Sequence, residues 1–383
     1  MKAPMGRWAV VAVVLLSLAS FTPSQLVAQE RLARLEPVSG AYFGVNLDWD
    51  NDSPAAYDER LGRQAAVYVL FLPFPFDDGA AVSFEESMDK IAAQGGMALL
   101  TLEPTIPLGD VTVAAAEDLA RTLAAQNERG VPVFLRFAHE MNGSWYPWSQ
   151  QPTSFILAFR LLADAVHRLT SDTAMVWAPS YAGGYPFRGG QYEAKPDSPD
   201  FGRLDTNNDG VLTMEDDPYA PYYPGDGAVD WVALSLYHWG NSYPWGDNEV
   251  PEPGKFVAQI TGTYNGQIGD DSALPDFYAD YVEQRGKPLA IAETSALYNT
   301  ERDGGAGELE IKAAWWSQVF DPAVFEQMPG LKMINWFEWE KPEQEIQGQV
   351  IDWTATFDPA IRAAFLEQLD IAPMVFGPNQ SST

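Results

Sequence analysis

Short apolar runs alternate with amphipathic stretches from about residue 41 onward. The runs are rich in β-branched and aromatic residues, which predicts buried strands rather than helices. Eight strands are predicted, in YFGVNLDW, AAVYVLFLPF, GMALLTLEP, VPVFLRFA, TAMVWAPS, VDWVALSLYHWG, KPLAIAETSA and LKMINWFEWEK. Eight strands in alternation with helices predict an α/β fold, a (β/α)8 TIM barrel, with a doubly wound open sheet as the alternative.

The predicted helices follow the apolar period of 3.6 residues. They lie in FEESMDKIAAQ, AAAEDLARTLAAQNERG, TSFILAFRLLADAVHRL, LPDFYADYVEQRG, GELEIKAAWWSQVF and DPAIRAAFLEQLD. Ser83 is the predicted N-cap of the first helix, with Glu86 three residues further on, and Gly95 is expected to end it. Between about 183 and 227 the chain is rich in Gly, Pro, Asp and Tyr and shows no helix of barrel length. We interpret this stretch as an insertion between strands five and six of a single barrel domain that covers residues 29–383.

The first residues have the pattern of a secretory signal peptide. An early positive region precedes an apolar run from Trp8 to about Ala19, followed by small residues, so we expect residues 1–28 to be removed after Ala19 or Ala28. A transmembrane anchor is the competing interpretation, but the run is short for a bilayer span of about 20 residues. We therefore expect a secreted protein, extracellular or periplasmic, with no membrane association after cleavage.

The charge and cysteine content narrow the function classes. The chain has 53 Asp and Glu against 23 Lys and Arg, a net charge of −30, and no Cys. Such a negative field repels nucleic acid and anionic membranes, and it is compatible with a neutral polymer substrate. Without Cys there are no disulfides and no thiol chemistry, and with only three His a catalytic zinc is not expected. We expect a monomer that needs no cofactor for catalysis.

The most informative motif is FLRFAHEMNGSWYPW, which runs from Phe134 to Trp148. It places Glu140 at the C-terminal end of predicted strand four, the end that carries the chemistry in barrel enzymes. A catalytic acid there needs neighbours that control its proton and an aromatic surface on which a sugar ring can lie. The motif offers candidates for both tasks, and we predict that they bind substrate: Arg136, His139, Asn142, Trp145 and Trp148.

A second carboxylate is predicted at the end of strand seven. Retaining glycosidases need two carboxyl groups about 5 to 5.5 Å apart. In PLAIAETSA the residues before Glu293 are apolar, so Glu293 is the first ionisable group that this strand brings to the barrel mouth. Glu140 and Glu293 are therefore the candidate catalytic pair.

Strands six and eight supply further candidates for substrate binding. Tyr237 ends strand six, next to strand seven, where its phenol could hydrogen-bond Glu293 and keep it ionised. His238 and Trp239 extend the same rim, and Trp336 and Trp339 lie near the end of strand eight. Each of these residues could equally be structural, since most buried aromatic side chains only pack.

Together these motifs resemble glycoside hydrolase family 26, from GVNLDWD to WFEWEK. The most specific part is RFAHEMNGSWYPW, supported by VWAPS, YYPGDGAVDWVALSLY and IAETSA. The resemblance implies that Glu140 is the acid/base and Glu293 the nucleophile of a retaining enzyme. It also implies that Arg136, Trp145 and Tyr237 orient these carboxylates and line the cleavage subsite.

The resemblance implies an endo-β-mannanase first, with mixed-linkage β-glucanase and β-1,3-xylanase as alternatives. Mannan-cleaving members commonly carry another histidine near the cleavage subsite, whereas this chain has only His139, His167 and His238. Two rival classes stay open. One is a non-catalytic, calcium-stabilised polysaccharide-binding protein, and the other is a barrel hydrolase of another retaining family, for which Asn-Glu would be expected in place of His139-Glu140.

The insertion contains DTNNDGVLTMED, residues 205–216, which fits a twelve-position EF-hand-like calcium loop. The predicted ligands are Asp205, Asn207, Asp209, the Val211 carbonyl and Asp216, with Gly210 at the tight sixth position. Asp216 stands where a bidentate Glu is usual, which shortens the reach. We predict a structural calcium ion at this loop.

Overall fold

Eight parallel strands close into a barrel in a computed structural model, which describes residue 1, residues 32–267 and residues 269–378. In chain order the strands are β1 (Ala41–Leu47), β2 (Val67–Phe74), β3 (Met97–Pro104), β4 (Val133–Phe137), β5 (Thr173–Trp177), β6 (Trp231–Ser235), β7 (Leu289–Thr294), β8 (Tyr298–Asn299), β9 (Leu331–Glu338), β10 (Glu340–Glu343), β11 (Gln349–Asp352) and β12 (Met374–Val375). Strands β1 to β7 pair in sequence, and β9 pairs with both β7 and β1. This closure confirms the predicted barrel and excludes the open sheet.

Helices surround the barrel between its strands. They are α1 (Pro54–Leu61), α2 (Asp78–Gln94), α3 (Val113–Glu128), α4 (Pro152–Leu169), α5 (Phe201–Leu204), α6 (Lys255–Ile260), α7 (Glu308–Val319), α8 (Pro322–Gln327) and α9 (Pro359–Ile371). Three short 3₁₀ turns lie at Leu108–Asp110, Ala220–Tyr222 and Gln344–Ile346, and a π-helix covers Tyr278–Glu283. No helix of the described ranges is long and apolar enough to cross a membrane. The predicted signal peptide lies outside the described residues.

Two helix predictions need correction. Helix α2 begins at Asp78, because the side chain of Asp77 accepts a hydrogen bond from the Ala80 N–H and caps the helix there, so Ser83 lies inside the helix. Gly95 does end it, with φ 66°, as predicted. The helix predicted in LPDFYADYVEQRG forms only the six-residue π-helix, while α6 was not predicted.

Two layers of side chains fill the space on either side of the barrel wall. Alternate residues of β2, β4, β6 and β7 fill the interior, among them Val69, Phe134, Ala233 and Ala290. The intervening residues pack outward against the helices in the larger core. Above the apolar interior lies a polar layer at the carboxyl ends of the strands, with the buried residues Asn46, Thr101, Arg136, Ser235, Glu293 and Asn335. The interior therefore changes from apolar to polar towards the end that carries the predicted site.

Strands β8, β10 and β11 form a separate antiparallel sheet that was not predicted. Ile351 of this sheet and Ile346, in the turn between β10 and β11, join Leu297, Phe337 and Trp353 in a small buried cluster. Partly buried aromatic residues pack on this cluster: Tyr237, Trp239, Trp245 and Trp339. The small sheet thus supports an aromatic wall at the carboxyl end of the barrel.

The chain between β5 and β6 contains the predicted insertion. It forms no helix longer than the four residues of α5 within its described length. The hydroxyl of the buried Tyr219 accepts a hydrogen bond from the N–H of Ala182, which ties the end of the insertion to its start. The absence of a barrel-length helix agrees with the sequence, because Gly and Pro interrupt the apolar period here.

Candidate active site

The chain turns sharply after β4, and this turn sets the position of Glu140. Ala138 and Glu140 both have positive φ angles, 47° and 53°. Hydrogen bonds hold both residues in place, from the Ala138 N–H to the Leu102 carbonyl and from the Glu140 N–H to the Ala178 carbonyl. A left-handed conformation costs a non-glycine residue about 1 to 2 kcal/mol. It persists here because the neighbouring strands β3 and β5 fix the backbone, and such strain is concentrated at functional sites.

Glu293 is held by two donors at the end of β7. The strand register shifts between Ile291 and Thr294, which turns Glu293 into the barrel, and only 7% of the residue is exposed. One carboxylate oxygen pairs with the guanidinium of Arg136, and the other accepts a hydrogen bond of 2.6 Å from the hydroxyl of Tyr237. These two contacts, one to each carboxylate oxygen, fix the direction of the Glu293 side chain.

Arg136 is fully buried on β4 and connects this strand with β6 and β7. Besides the ion pair with Glu293, it donates a hydrogen bond of 2.7 Å to the hydroxyl of Ser235 on β6. A fully buried charge is destabilising unless it is paired and hydrogen-bonded. Arg136 therefore orients Glu293, and the carboxylate of Glu293 in turn neutralises the buried charge of Arg136.

Glu140 lies in a different electrostatic environment. The indole N–H of Trp145 donates to its carboxylate at 3.0 Å. Burial, and then the nearby charge of Glu293, raise the pKa of Glu140 to about 7, while Arg136 and hydrogen bonds from Ser235 and Trp145 act in the opposite direction. Near neutral pH, Glu140 can therefore hold a proton beside an oriented carboxylate. Two carboxyl groups with such different environments are the usual arrangement of an acid and its partner in glycosidases.

Gly143 brings Trp145 into reach of Glu140. A Cβ atom at residue 143 would lie 2.5 Å from Cζ2 of the Trp145 ring, closer than carbon atoms approach each other. The indole therefore folds back over a backbone that has no side chain. Trp145 remains 39% exposed and packs edge-on against Phe187. An exposed ring at this point can also contact a ligand.

His139 is buried, with 2% of its surface exposed. Its Nε2 lies 3.2 Å from the Tyr146 hydroxyl, and its ring packs edge-on against Phe71. Its backbone carbonyl accepts a hydrogen bond of 2.8 Å from the indole N–H of Trp148. Burial and the charge of Arg136 hold the pKa of His139 well below its usual range, so the ring is neutral. In this structure His139 supports the wall behind Glu140.

Like His139, four further predicted substrate-binding residues do not reach the cleft, and these five predictions are corrected. Asn142 is fully buried and exchanges two hydrogen bonds of 2.9 Å with the backbone of Ser180. Trp148 is buried and stacks on Tyr146, with ring centroids 4.5 Å apart. The first residue joins the turn to β5, and the second closes the turn from behind.

The other two residues point away from the barrel axis. Trp336 has 0% exposure and packs against Phe365 of α9, because strand alternation turns it outward. His238 is also buried, with Nε2 2.8 Å from the Glu249 carbonyl and Nδ1 3.3 Å from Nζ of Lys255. Burial lowers the pKa of His238 to about 3, so it is a neutral structural residue.

The remaining predicted aromatic residues form the wall of the cleft. Tyr237 and Trp239 are partly exposed and both pack against Trp353, at 5.3 and 4.9 Å between ring centroids. Trp339 is partly exposed and stacks on Phe337 with an interplanar angle of 13°. These rings are backed by the buried cluster of the small sheet and offer flat apolar faces near Glu293.

Glu103 is a site residue that the sequence interpretation missed. It lies at the end of β3, and its pKa is raised by burial and by the charge of Glu293, with Arg136 opposing. The reasoning that selected Glu293, a carboxylate directly after an apolar run at the end of a strand, applies equally to LLTLEP and could have found it.

The predicted calcium loop has the expected turn at Gly210, but the carboxylate of its last residue, Asp216, is already hydrogen-bonded within the loop. The carboxylate of Asp205 accepts hydrogen bonds from the N–H groups of Asp209 and Gly210, and Gly210 has φ 86°. The carboxylate of Asp216, however, accepts from three backbone N–H groups of the loop, including that of Thr206 at 2.7 Å. Within the described ranges, no group of three or more His, Cys, Asp or Glu is arranged to hold a metal ion.

Comparisons with known proteins agree with this site and fold. Residues 104–192, which include the turn with Glu140, match the model of glycosyl hydrolase family 26. Endoglucanase H of Acetivibrio thermocellus is 26% identical over 216 residues, which cover 54% of this chain and 20% of that protein. The chain thus spans about a fifth of this curated relative.

Solved structures share the fold at low identity. Cel5A of Thermotoga maritima, solved with mannotriose, has a TM-score of 0.51 and 10% identity over 86% of this chain and 97% of its own. The Prevotella bryantii endo-β-mannanase/endo-β-glucanase PbGH26A-GH5A has a TM-score of 0.50 and 11% identity over 90% of this chain and 46% of its own. At such identities the likeness supports the barrel fold alone.

The family match and the barrel together make this chain similar to glycoside hydrolases, the enzymes that act on O-glycosyl bonds. The match over residues 104–192 agrees with the resemblance to glycoside hydrolase family 26 found in the sequence.

Proposed function

We propose that this protein is a secreted, retaining endo-β-glycanase that hydrolyses a β-linked polysaccharide, with β-1,4-mannan as the first candidate. One observation carries the proposal. Glu293 is oriented by Arg136 and Tyr237 while the neighbouring Glu140 has a pKa of about 7. An ionised, oriented carboxylate beside a carboxyl group that keeps its proton is what double displacement requires.

In the first step, Glu293 attacks the anomeric carbon of the bound sugar. The glycosidic bond breaks as Glu140 gives its proton to the leaving oxygen, and a covalent glycosyl-enzyme is formed. In the second step, Glu140 takes a proton from water, whose oxygen attacks the same carbon and releases Glu293. Two inversions retain the configuration of the sugar, and Glu140 regains its proton.

The choice of mannan rests on the family resemblance and not on these residues. None of the three histidines is presented to the cleft. His139 and His238 are buried, and His167, which lies on helix α4, pairs with Asp230 at 2.8 Å. Mixed-linkage β-glucan and β-1,3-xylan therefore stay as alternative substrates.

The test is hydrolysis of mannan, glucomannan, mixed-linkage β-glucan and β-1,3-xylan, measured as new reducing ends. Glu140→Ala is expected to lose activity and to keep the melting temperature of the folded protein. Glu293→Ala is expected to lose activity and to melt at a lower temperature, because it leaves the buried charge of Arg136 without its partner. Glu340→Ala is a matched control, because Glu340 is an exposed carboxylate at the start of β10 without a hydrogen bond or ion pair among the described residues. If the two cleft variants kept full activity, the proposed roles would be wrong.

The rival proposal is a non-catalytic polysaccharide-binding protein with the same aromatic wall. It predicts no hydrolysis of any β-glycan but measurable binding to one of them. The same polysaccharides, tested by calorimetry or by quenching of tryptophan fluorescence, distinguish the two proposals. The orientation of Glu293 by Arg136 and Tyr237 favours the enzyme, because a surface that only binds sugar does not need an oriented nucleophile.

We also propose a structural calcium ion at residues 205–216. The side-chain oxygens of Asp205, Asn207 and Asp209 and the Val211 carbonyl would be its ligands, with Asp216 completing the set if its carboxylate turns from the backbone. A chelator should lower the melting temperature, and Asp209→Asn should remove most of that effect. Glu215→Gln is the control, since it makes the same charge change at an exposed loop residue. An unchanged melt and no calcium by elemental analysis would reject the ion.

Export and oligomeric state are proposals that can be tested together. We propose that the protein is secreted after cleavage near residue 28, and that it then acts as a soluble monomer on polysaccharide rather than on nucleic acid or membranes. Mass spectrometry of the N-terminus of exported protein checks the cleavage, and light scattering checks the mass.

A further inference from the structure

Glu103 lies beside the catalytic turn at the carboxyl end of β3. Strands β3 and β4 are paired so that Thr101 lies opposite Arg136 and Leu102 opposite Phe137. Leu100 and Leu102 pack outward in the main core, so the alternation of the strand turns Thr101 and Glu103 into the barrel. Glu103 therefore lies one inward-facing residue closer to the barrel mouth than the layer that contains Arg136. Its strand, β3, lies across the barrel from β7, the strand that carries Glu293.

The side chain of Glu103 shares its surroundings with both catalytic carboxylates. Glu293 and Arg136 act on its charge. Burial raises the pKa of the Tyr146 hydroxyl, and the charges of Glu140, Glu293 and Glu103 raise it further. Three carboxylates therefore surround the same part of the cleft, and two of them are explained by the proposed reaction.

Glu103 differs from the buried carboxylates in having no hydrogen-bond donor among the described residues. Glu338 accepts hydrogen bonds from the backbone of Ala355 and of Thr356 and from the Thr356 hydroxyl. Asp58 accepts from the Ala65 N–H and from the Tyr68 hydroxyl at 2.6 Å. Glu103 is partly buried yet has no hydrogen bond or ion pair to any described residue. A partly buried carboxylate in this position is available to hydrogen-bond donors from water or from a ligand.

We propose that Glu103 binds substrate by accepting hydrogen bonds from two adjacent hydroxyl groups of the sugar whose anomeric carbon faces Glu293, and that it contributes to the choice of β-glycan. The inference rests on the proposed glycanase function. A carboxylate has two oxygens that suit a pair of neighbouring hydroxyl groups, and bonds to an ionised acceptor are the stronger ones. A site built around such bonds discriminates against sugars that lack or misplace a donor.

The experiment compares Glu103→Gln and Glu103→Ala with wild type and with Glu340→Gln as the matched control at the rim. For the preferred polysaccharide and its oligosaccharides we expect kcat/KM to fall about 10- to 100-fold in both Glu103 variants, the loss of one or two bonds to a charged group. The control should stay within twofold. The order of preference among the four β-glycans should also change in the Glu103 variants.

A stability measurement separates a binding role from a structural one. Because no residue in the described part of the chain donates a hydrogen bond to Glu103, Glu103→Gln should keep or raise the melting temperature while activity falls. A drop in melting temperature that matches the loss of activity would indicate a structural role and overturn the proposal. Unchanged kcat/KM and unchanged substrate preference would overturn it as well.

Binding in an inactive background keeps this test independent of turnover. Oligosaccharide affinity is measured by calorimetry for Glu140→Gln and for the double variant that carries both Glu140→Gln and Glu103→Ala. We expect the double variant to bind more weakly than Glu140→Gln by a factor of about 10 or more. If wild type hydrolyses no glycan, the proposed function fails, and this comparison alone decides the role of Glu103. Equal affinity of the two proteins, or no binding by either, rejects the inference.

Discussion

Trp145→Phe should move the basic limb of the pH–activity profile to higher pH. In the proposed mechanism the free enzyme needs Glu140 protonated, so kcat/KM falls as pH rises through the pKa of about 7. The indole N–H of Trp145 donates to the ionised carboxylate at 3.0 Å and so lowers this pKa. Phenylalanine keeps an aromatic ring but has no donor, and the pKa of Glu140 therefore rises.

The size of the shift follows from the strength of this bond. A hydrogen bond to a charged group contributes about 1.5 to 3 kcal/mol, and one pKa unit corresponds to about 1.36 kcal/mol. Trp145 is 39% exposed, so water can replace part of the lost donor. We therefore expect the basic limb to move upward by about half a unit to one unit.

The assay is kcat/KM on a soluble substrate between pH 4 and 9, fitted to two ionisations. Trp339→Phe is the control, because its indole nitrogen makes no hydrogen bond within the described structure and the change leaves Glu140 untouched. A basic limb that stays in place in Trp145→Phe, or that moves to lower pH, would refute the role of Glu140 as the acid or the role of Trp145 in setting its pKa.

Three further predictions concern the same site and its support. Tyr237→Phe removes the 2.6 Å hydrogen bond to Glu293 and should lower kcat about 10- to 100-fold in steady-state assays; an unchanged kcat would contradict it. Gly143→Ala should displace Trp145 and reproduce the pH shift of Trp145→Phe, and an unshifted profile would show that the turn adapts. Burial raises the pKa of Glu338 from 4.5 to about 7, so the folded protein binds this proton more tightly than the unfolded chain does. The stabilisation is complete below the unfolded value of 4.5 and is lost as the pH rises through 7. Relative to Glu338→Gln, wild type should lose roughly 3 kcal/mol of unfolding free energy between pH 4 and 8 in urea titrations, and parallel curves for the two proteins would contradict this.

The barrel could be predicted because its strands are short apolar runs that end in polar residues, and each run recurs after a helix. The elements that were missed lack such a signal. The strands of the small sheet are two to four residues long, too short for a period of two to be recognised. Helix α2 was placed too late because Ser83 and Glu86 imitate a capping box, while Asp77 at the true start follows a proline-rich segment.

The candidate site divides in the same way. The sequence placed Glu140, Glu293 and Tyr237 at the same end of the barrel, where the structure also has them, because a strand end fixes both position and direction. Trp336 was misplaced because it lies on β9 and faces outward, whereas Trp339, three residues later and just beyond the strand, is the one that reaches the cleft. His238 required knowledge of α6 and Lys255, which no local pattern indicates.

The positive φ angle at Ala138 has a consequence for variation of this protein. Glycine at this position would relieve the backbone strain of about 1 to 2 kcal/mol, so a library screened for thermal stability would accept it. The same glycine would let the following peptide rotate, and the carboxyl group of Glu140 would no longer have one fixed direction relative to Glu293. At residue 138, selection for heat resistance and selection for turnover therefore favour different amino acids.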